Sequence, residues 1–305
     1  MTDDLVFRVP PLQNPITAES IREMLAWRPR RMCLRADNWE ALHPPSAGYS
    51  NWTLVLPFYE TFRNAFQLMC HANSSGLVRA RNQRCMAFLN DANDKPETLA
   101  RVRQWLESVG RFVAIRDCLA MSFALDYERE GGDPTRPQTT VGSLRSCAKT
   151  YGSAPTAANL TAAADLARAC LDFLGTVTCY ELVDCVIGMP PSNPETPYNL
   201  AAGLASEVAQ AWQREDLSGA VATTRKRPGA KELPLAKKLE ALQGTLRVDA
   251  EAVRDRVILL IDDLYQSGVS MNYVAMELLA AGATTVFGLA CEKTCRNDDN
   301  LGGSR

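Results

Sequence analysis

Residues Val257–Ser270 read VILLIDDLYQSGVS, and this stretch decides the fold. Its opening apolar run, Val257 to Ile261, is short, β-branched and ended by charge, which predicts a buried strand rather than a helix. Asp262 and Asp263 follow at once. Small polar residues around Gly268 come next, and then an apolar helical pattern from Met271 to Ala281. A strand that delivers carboxylates into a Gly/Ser turn opening a helix suits a phosphate-and-sugar site. The turn's amides and hydroxyls face a phosphate at the positive end of the helix, and the carboxylates face sugar hydroxyls or a metal. The plainer alternative is an ordinary strand–turn–helix crossover with an acidic turn.

Outward from this stretch, helical and strand patterns alternate. Helices are predicted over Val141–Tyr151, Ala162–Leu174 and Leu200–Trp212, and strands over Val183–Met189, Gly219–Thr223, Thr245–Val248 and Thr285–Ala290. Strands separated by helical crossovers imply a mostly parallel sheet covered on both faces, with ligands beyond the carboxyl ends of the strands. Upstream, the Gly- and Pro-bearing segment Glu128–Thr140 reads as a linker. Before it the apolar spacing is mostly helical, over Ile16–Trp27, Thr53–His71 and Pro96–Tyr127. The expected organisation is therefore a helical N-terminal domain over 1–130, a linker over 131–140 and an α/β domain over 141–305. That division fits 305 residues on the usual domain size.

Composition narrows the function classes. A hydrophobic content of 46%, a charged content of 22% and a net charge of −2 describe a globular chain with no global basic excess for nucleic acid. The start, MTDDLVFRVPPLQNP, lacks the basic and apolar parts of a signal peptide, and no apolar run approaches the ~20 residues of a membrane helix. A cytoplasmic protein without membrane association is expected. Of the 10 cysteines, the eight from Cys33 to Cys185 are scattered, mostly inside apolar patterns, and read as reduced, buried thiols. Cys291 and Cys295 have no second pair or nearby His to complete a zinc site.

The acidic pair and its turn resemble the phosphoribosyl pyrophosphate (PRPP) signature of type I phosphoribosyltransferases. The resemblance extends over about Val141 to Thr294, to the orphan branch related to competence protein F. Two further segments carry it: VGSLRSCAKTYG at Val141–Gly152 and VDCVIGMPPSNPETPYNLAAGLA at Val183–Ala205. It implies a parallel-sheet type I phosphoribosyltransferase fold preceded by the helical domain. It also implies that Asp262 and Asp263 bind the ribose hydroxyls, and that Leu264, Tyr265, Gln266, Ser267, Gly268, Val269 and Ser270 form the 5′-phosphate loop. Gln266 departs from the family's usual hydroxyl residue. Pro190, Pro191, Ser192 and Asn193 correspond to the pyrophosphate loop, where a rigid proline turn leaves donors free to point at the anion.

The run TTRKRPGAKELPLAKK, Thr223–Lys238, holds six basic residues and one acidic one. Alone it reads as a solvated loop or a nucleic-acid patch. Between the two phosphate segments it reads as a mobile hood in which Arg225, Lys226, Arg227 and Lys231 neutralise pyrophosphate, with Lys237 and Lys238 behind them. The implied cofactor is Mg2+, held mainly through PRPP and in part by Asp262 and Asp263. The implied reaction transfers phosphoribose to an acceptor that no motif identifies. Two other readings stay open. One is a non-catalytic PRPP or nucleotide sensor. The other is an accessory protein for DNA uptake, processing or defence that meets single-stranded DNA, with a protein partner recruited through the N-terminal domain.

Overall fold

The computed structural model describes residues 11–27, 31–33, 41–70, 72–80, 84–150, 152–227, 233 and 235–295. A seven-stranded sheet forms its centre, in the order Arg31–Cys33, Val113–Ile115, Met121–Tyr127, Thr285–Lys293, Val257–Tyr265, Cys185–Gly188, Glu215–Asp216. From Met121–Tyr127 to the Glu215–Asp216 edge every neighbouring pair is parallel, whereas the first two strands join antiparallel. The expected α/β architecture with a mostly parallel sheet is what the chain adopts.

Period-two alternation along the two central strands divides their side chains between two layers. Leu259, Ile261, Phe287, Leu289 and Cys291 share a core with the helices Ala157–Thr176 and Leu200–Trp212. Ile258, Leu260, Val286 and Ala290 face the helices Ala18–Ala26 and Val269–Ala280. Both strands are apolar up to their carboxyl ends, over Val257–Ile261 and Val286–Cys291, because both faces are covered there. A separate antiparallel ribbon, Val221–Thr223 with Leu246–Val248, stands over the sheet's carboxyl end next to the helix Leu235–Leu242.

The N-terminal part departs from the sequence-based expectation of a helical domain. Thr53–His71 splits into the strand Trp52–Leu56 and the helix Phe62–Met69. That strand belongs to a four-stranded antiparallel sheet with Leu42–His43, Val78–Arg79 and Cys85–Leu89. The predicted helix over Pro96–Tyr127 stops at Gly110, and Val113–Ile115 and Met121–Tyr127 enter the central sheet. Met121–Leu125 is buried on both sides, so it shows no period for local pattern reading to catch.

The 131–140 segment is likewise no linker between separately packed halves. Arg129 bridges Gln138, and the Thr139 hydroxyl donates to the Tyr127 carbonyl at 2.6 Å while capping the next helix. One core cluster runs from Leu54 and Trp105 to Phe173 and Phe287, so the chain on the two sides of this turn is packed together. Among the described residues, no helix is long and apolar enough to cross a membrane.

Candidate ligand cleft at the carboxyl ends of the strands

The signature strand outruns its neighbour. Cys185–Gly188 pairs with it only as far as Gly188 opposite Ile261, whereas Val257–Tyr265 continues to Tyr265 alongside Thr285–Lys293. The edge from Asp262 onward is thereby left open on one side. Gly188 allows the shorter strand to end there: a Cβ would meet the Ala201 carbonyl at 2.5 Å and Ala202 Cα at 2.6 Å, so the helix Leu200–Trp212 can approach only a glycine. The chain then turns at Met189, whose amide bonds the Ile261 carbonyl at 2.8 Å and whose carbonyl accepts Asn199 Nδ2 at 2.9 Å.

Pro190, Pro191 and Ser192 are thereby held across from Asp262, and between them lies a cleft of about 350 Å³. Asp262, Asp263, Leu264, Tyr265, Gln266, Ser267, Gly268 and Ser270 line one side, with Lys149, Thr150, Tyr198, Asn199, Arg227 and Lys238 completing the wall. Residues from the acidic pair, the glycine turn and the proline turn, up to 78 positions apart in sequence (190 to 268), share one cavity.

The turn after Tyr265 leads directly into a helix N-terminus. Gly268 has φ +81° and caps the helix Val269–Ala280, so the first amides of that helix are unspent within it and the helix dipole is positive there. Lys293 adds buried positive charge beneath: its Nζ donates to the Gln266 carbonyl at 3.0 Å and to the Thr294 hydroxyl at 3.0 Å.

The carboxylates are placed unequally. Asp262 is half-buried on the cleft floor, and its Oδ1 accepts the Asp263 amide at 2.8 Å. Desolvation, with the Asp263 charge adding to it, pushes its pKa well above the usual range. Asp263 faces cations instead: Lys149 Nζ lies 3.4 Å and Arg145 Nε 3.7 Å from its Oδ2. Arg145 Nε also stands 3.0 Å from Glu292 Oε1. Glu292, on the neighbouring strand end, is buried, which pushes its pKa up to about 7 against the pull of Arg145.

The basic run separates into parts that the sequence does not distinguish. Arg227 reaches the cleft but is a clamp rather than a mobile hood residue. It is buried, its amide bonds the Ser192 carbonyl at 2.9 Å, and its Nη2 donates to the Pro190 and Pro191 carbonyls at 3.2 and 3.0 Å. Burial lowers its pKa, and the Asp262 charge opposes that shift. Arg225 and Lys226 are exposed and stand outside the cleft wall, with Arg225 Nη2 donating to the Gln243 carbonyl at 3.3 Å. Lys231 lies outside the described residues.

Two other expected site residues are not in the wall. Val269 is buried in the core, and Asn193 Oδ1 instead accepts the Glu195 amide two residues on, at 3.3 Å. Lys149, Thr150, Tyr198 and Asn199 are wall residues within the quoted segments that no local rule singled out, because only the fold aims them at the acidic pair. Among the described residues, no cluster of three or more His, Cys, Asp or Glu is placed to hold a metal ion.

No protein-family model matches this chain, and no curated protein matches it in sequence.

Proposed function

We propose that this cleft binds PRPP and that the protein is a phosphoribosyltransferase of the type I architecture. One observation carries the reading. The acidic pair, the glycine turn at a helix N-terminus and the clamped proline turn meet in a single cavity at the carboxyl end of a parallel sheet.

In this assignment Asp262 and Asp263 accept from the ribose hydroxyls. The amides and hydroxyls of Ser267 to Ser270 take the 5′-phosphate, and the turn at Pro190–Ser192 receives pyrophosphate beside Arg227. Two adjacent carboxylates are hard oxygen donors, and they suit a magnesium ion whose remaining ligands come from the substrate. Bound there, magnesium would neutralise charge on the leaving pyrophosphate. The reaction breaks the C1–O bond to pyrophosphate and forms a bond from C1 to the acceptor. The chain's own residues orient ribose and stabilise charge, and no covalent nucleophile is required.

A non-catalytic sensor is the second reading. It is favoured by Gln266 in place of a hydroxyl residue and by the engagement of Arg227 with loop carbonyls. Exposed Arg225 and Lys226 keep single-stranded DNA as a third partner class. Titration calorimetry with magnesium-PRPP, followed by a pyrophosphate-release screen across bases, separates these. Binding with release identifies a transferase, and binding without release a sensor. No heat at millimolar PRPP would overturn the assignment.

A further inference from the structure

Behind the 5′-phosphate loop lies a buried polar network that no feature of the site's own sequence announces. Asp117, in the turn before the strand Met121–Tyr127, is 1% exposed. Its Oδ2 accepts the Tyr265 hydroxyl at 3.0 Å, and its Oδ1 accepts the Leu119 amide at 3.1 Å and the Ser122 hydroxyl at 3.0 Å. Asn272, fully buried on the helix Val269–Ala280, donates from Nδ2 to the Gly268 carbonyl at 2.8 Å and to the Tyr265 hydroxyl at 3.4 Å. Its Oδ1 accepts the Cys118 amide at 2.9 Å. The Tyr265 ring closes against Gly268, leaving no room for a Cβ there.

We propose that Asp117 and Asn272 are positioning residues for the phosphate loop, and that the N-terminal part of the chain acts in the site by supplying the turn Asp117–Leu119 that holds it. The reasoning follows from the bonds. Tyr265 and Gly268 bracket the loop, and both are tied to Asp117–Cys118 through the Tyr265, Asp117 and Asn272 side chains. A buried carboxylate accepting several donors makes strong, directional bonds, so the loop is held in one conformation before any ligand arrives. A loop freed from these ties must be ordered at the moment of binding, and affinity falls by the fraction of time it spends misplaced. The Pro190–Ser192 turn has its own supports in Arg227 and Asn199 and is independent of the network.

This inference rests on the assignment of the loop to the 5′-phosphate, and its test separates the two. Tyr265→Phe and Asp117→Asn are compared with wild type by hydrogen exchange on the free protein, and by calorimetry with magnesium-PRPP, ribose 5-phosphate and inorganic pyrophosphate. Amides of 267–272 should exchange about tenfold faster or more in both variants, while those of the strand Cys185–Gly188 keep wild-type protection. Affinity for ribose 5-phosphate and PRPP should fall about tenfold, with pyrophosphate binding unchanged.

Unaltered exchange at 267–272 in both variants would overturn the positioning role, whatever the ligand. An equal loss of pyrophosphate binding or of protection across the sheet would reduce the network to general stability and overturn it as well. Faster exchange at 267–272 in a protein that binds none of the three ligands would uphold the positioning role and discard the PRPP assignment.

Discussion

Gly268→Ala tests the glycine turn most directly, because two separate costs fall on one methyl group. Gly268 sits at φ +81°, where an L-residue costs roughly 1–2 kcal/mol. The added Cβ would also lie 2.9 Å from Tyr265 Cε1 and closer still to the hydroxyl end of the ring. The ring cannot swing aside freely, since its hydroxyl is bonded to buried Asp117, and breaking a hydrogen bond to a charged group costs about 1.5–3 kcal/mol. Together these give about 2.5–5 kcal/mol. The chain can meet that cost by keeping the loop and losing stability, or by abandoning the loop and losing the ligand.

Urea denaturation and calorimetry with magnesium-PRPP on the same variant read both routes. The sum of the stability loss and the binding loss should reach about 2.5 kcal/mol or more. Gly76→Ala is the control: it has φ +72° with nothing within 4 Å of the added Cβ, so it should cost only the backbone part, about 1–2 kcal/mol, with no effect on binding. Equal effects from the two substitutions would refute the close-packed loop.

Asp262→Asn with Asp263→Asn should abolish magnesium-PRPP binding and leave the fold intact, because relief of the repulsion and desolvation at Asp262 offsets the loss of the Asp263 pairs with Arg145 and Lys149; retained affinity would remove these residues from the site. Arg227→Ala should destabilise the fold by about 2–4 kcal/mol in denaturant titration, since the Pro190 and Pro191 carbonyls lose a buried charged donor. Arg225→Ala with Lys226→Ala should stay within about 0.5 kcal/mol of wild type. If these exposed cations act on the leaving group, that double variant loses turnover more than PRPP affinity; if they track DNA, it loses gel-shift binding and salt dependence.

Glu292 has a folded-state pKa of about 7 against an ordinary 4.5, so the folded protein holds an extra proton between those values and stability falls as pH rises through them. Asp117, raised to about 6, and Asp262 act in the same direction. Glu292→Gln should therefore flatten the decline most between about pH 5 and 6.5, midway between the two values, by up to about 1.4 kcal/mol per pH unit, in melts taken across that range. An unchanged slope would show that Glu292 ionises normally.

Much of the site was legible along the chain. The strand, the acidic pair, the glycine turn and the following helix are consecutive, and each announces itself by local chemistry: β-branching, charge, a glycine among small polar residues, and apolar period. The same holds for Pro190–Ser192 and for the ribbon strand ending at Val248. What the sequence left undecided depends on partners far away. MSFALDY at Met121–Tyr127 is apolar on both faces, and only pairing with Thr285–Lys293 makes it a strand. Arg225, Lys226 and Arg227 are three neighbouring cations in the sequence, yet the Pro190 and Pro191 carbonyls bury one and leave the others in water. Asp117 meets Tyr265 across 148 positions. Local propensity reads bonds between residues near in sequence, whereas burial and long-range hydrogen bonding are set only when the sheet closes and its layers pack.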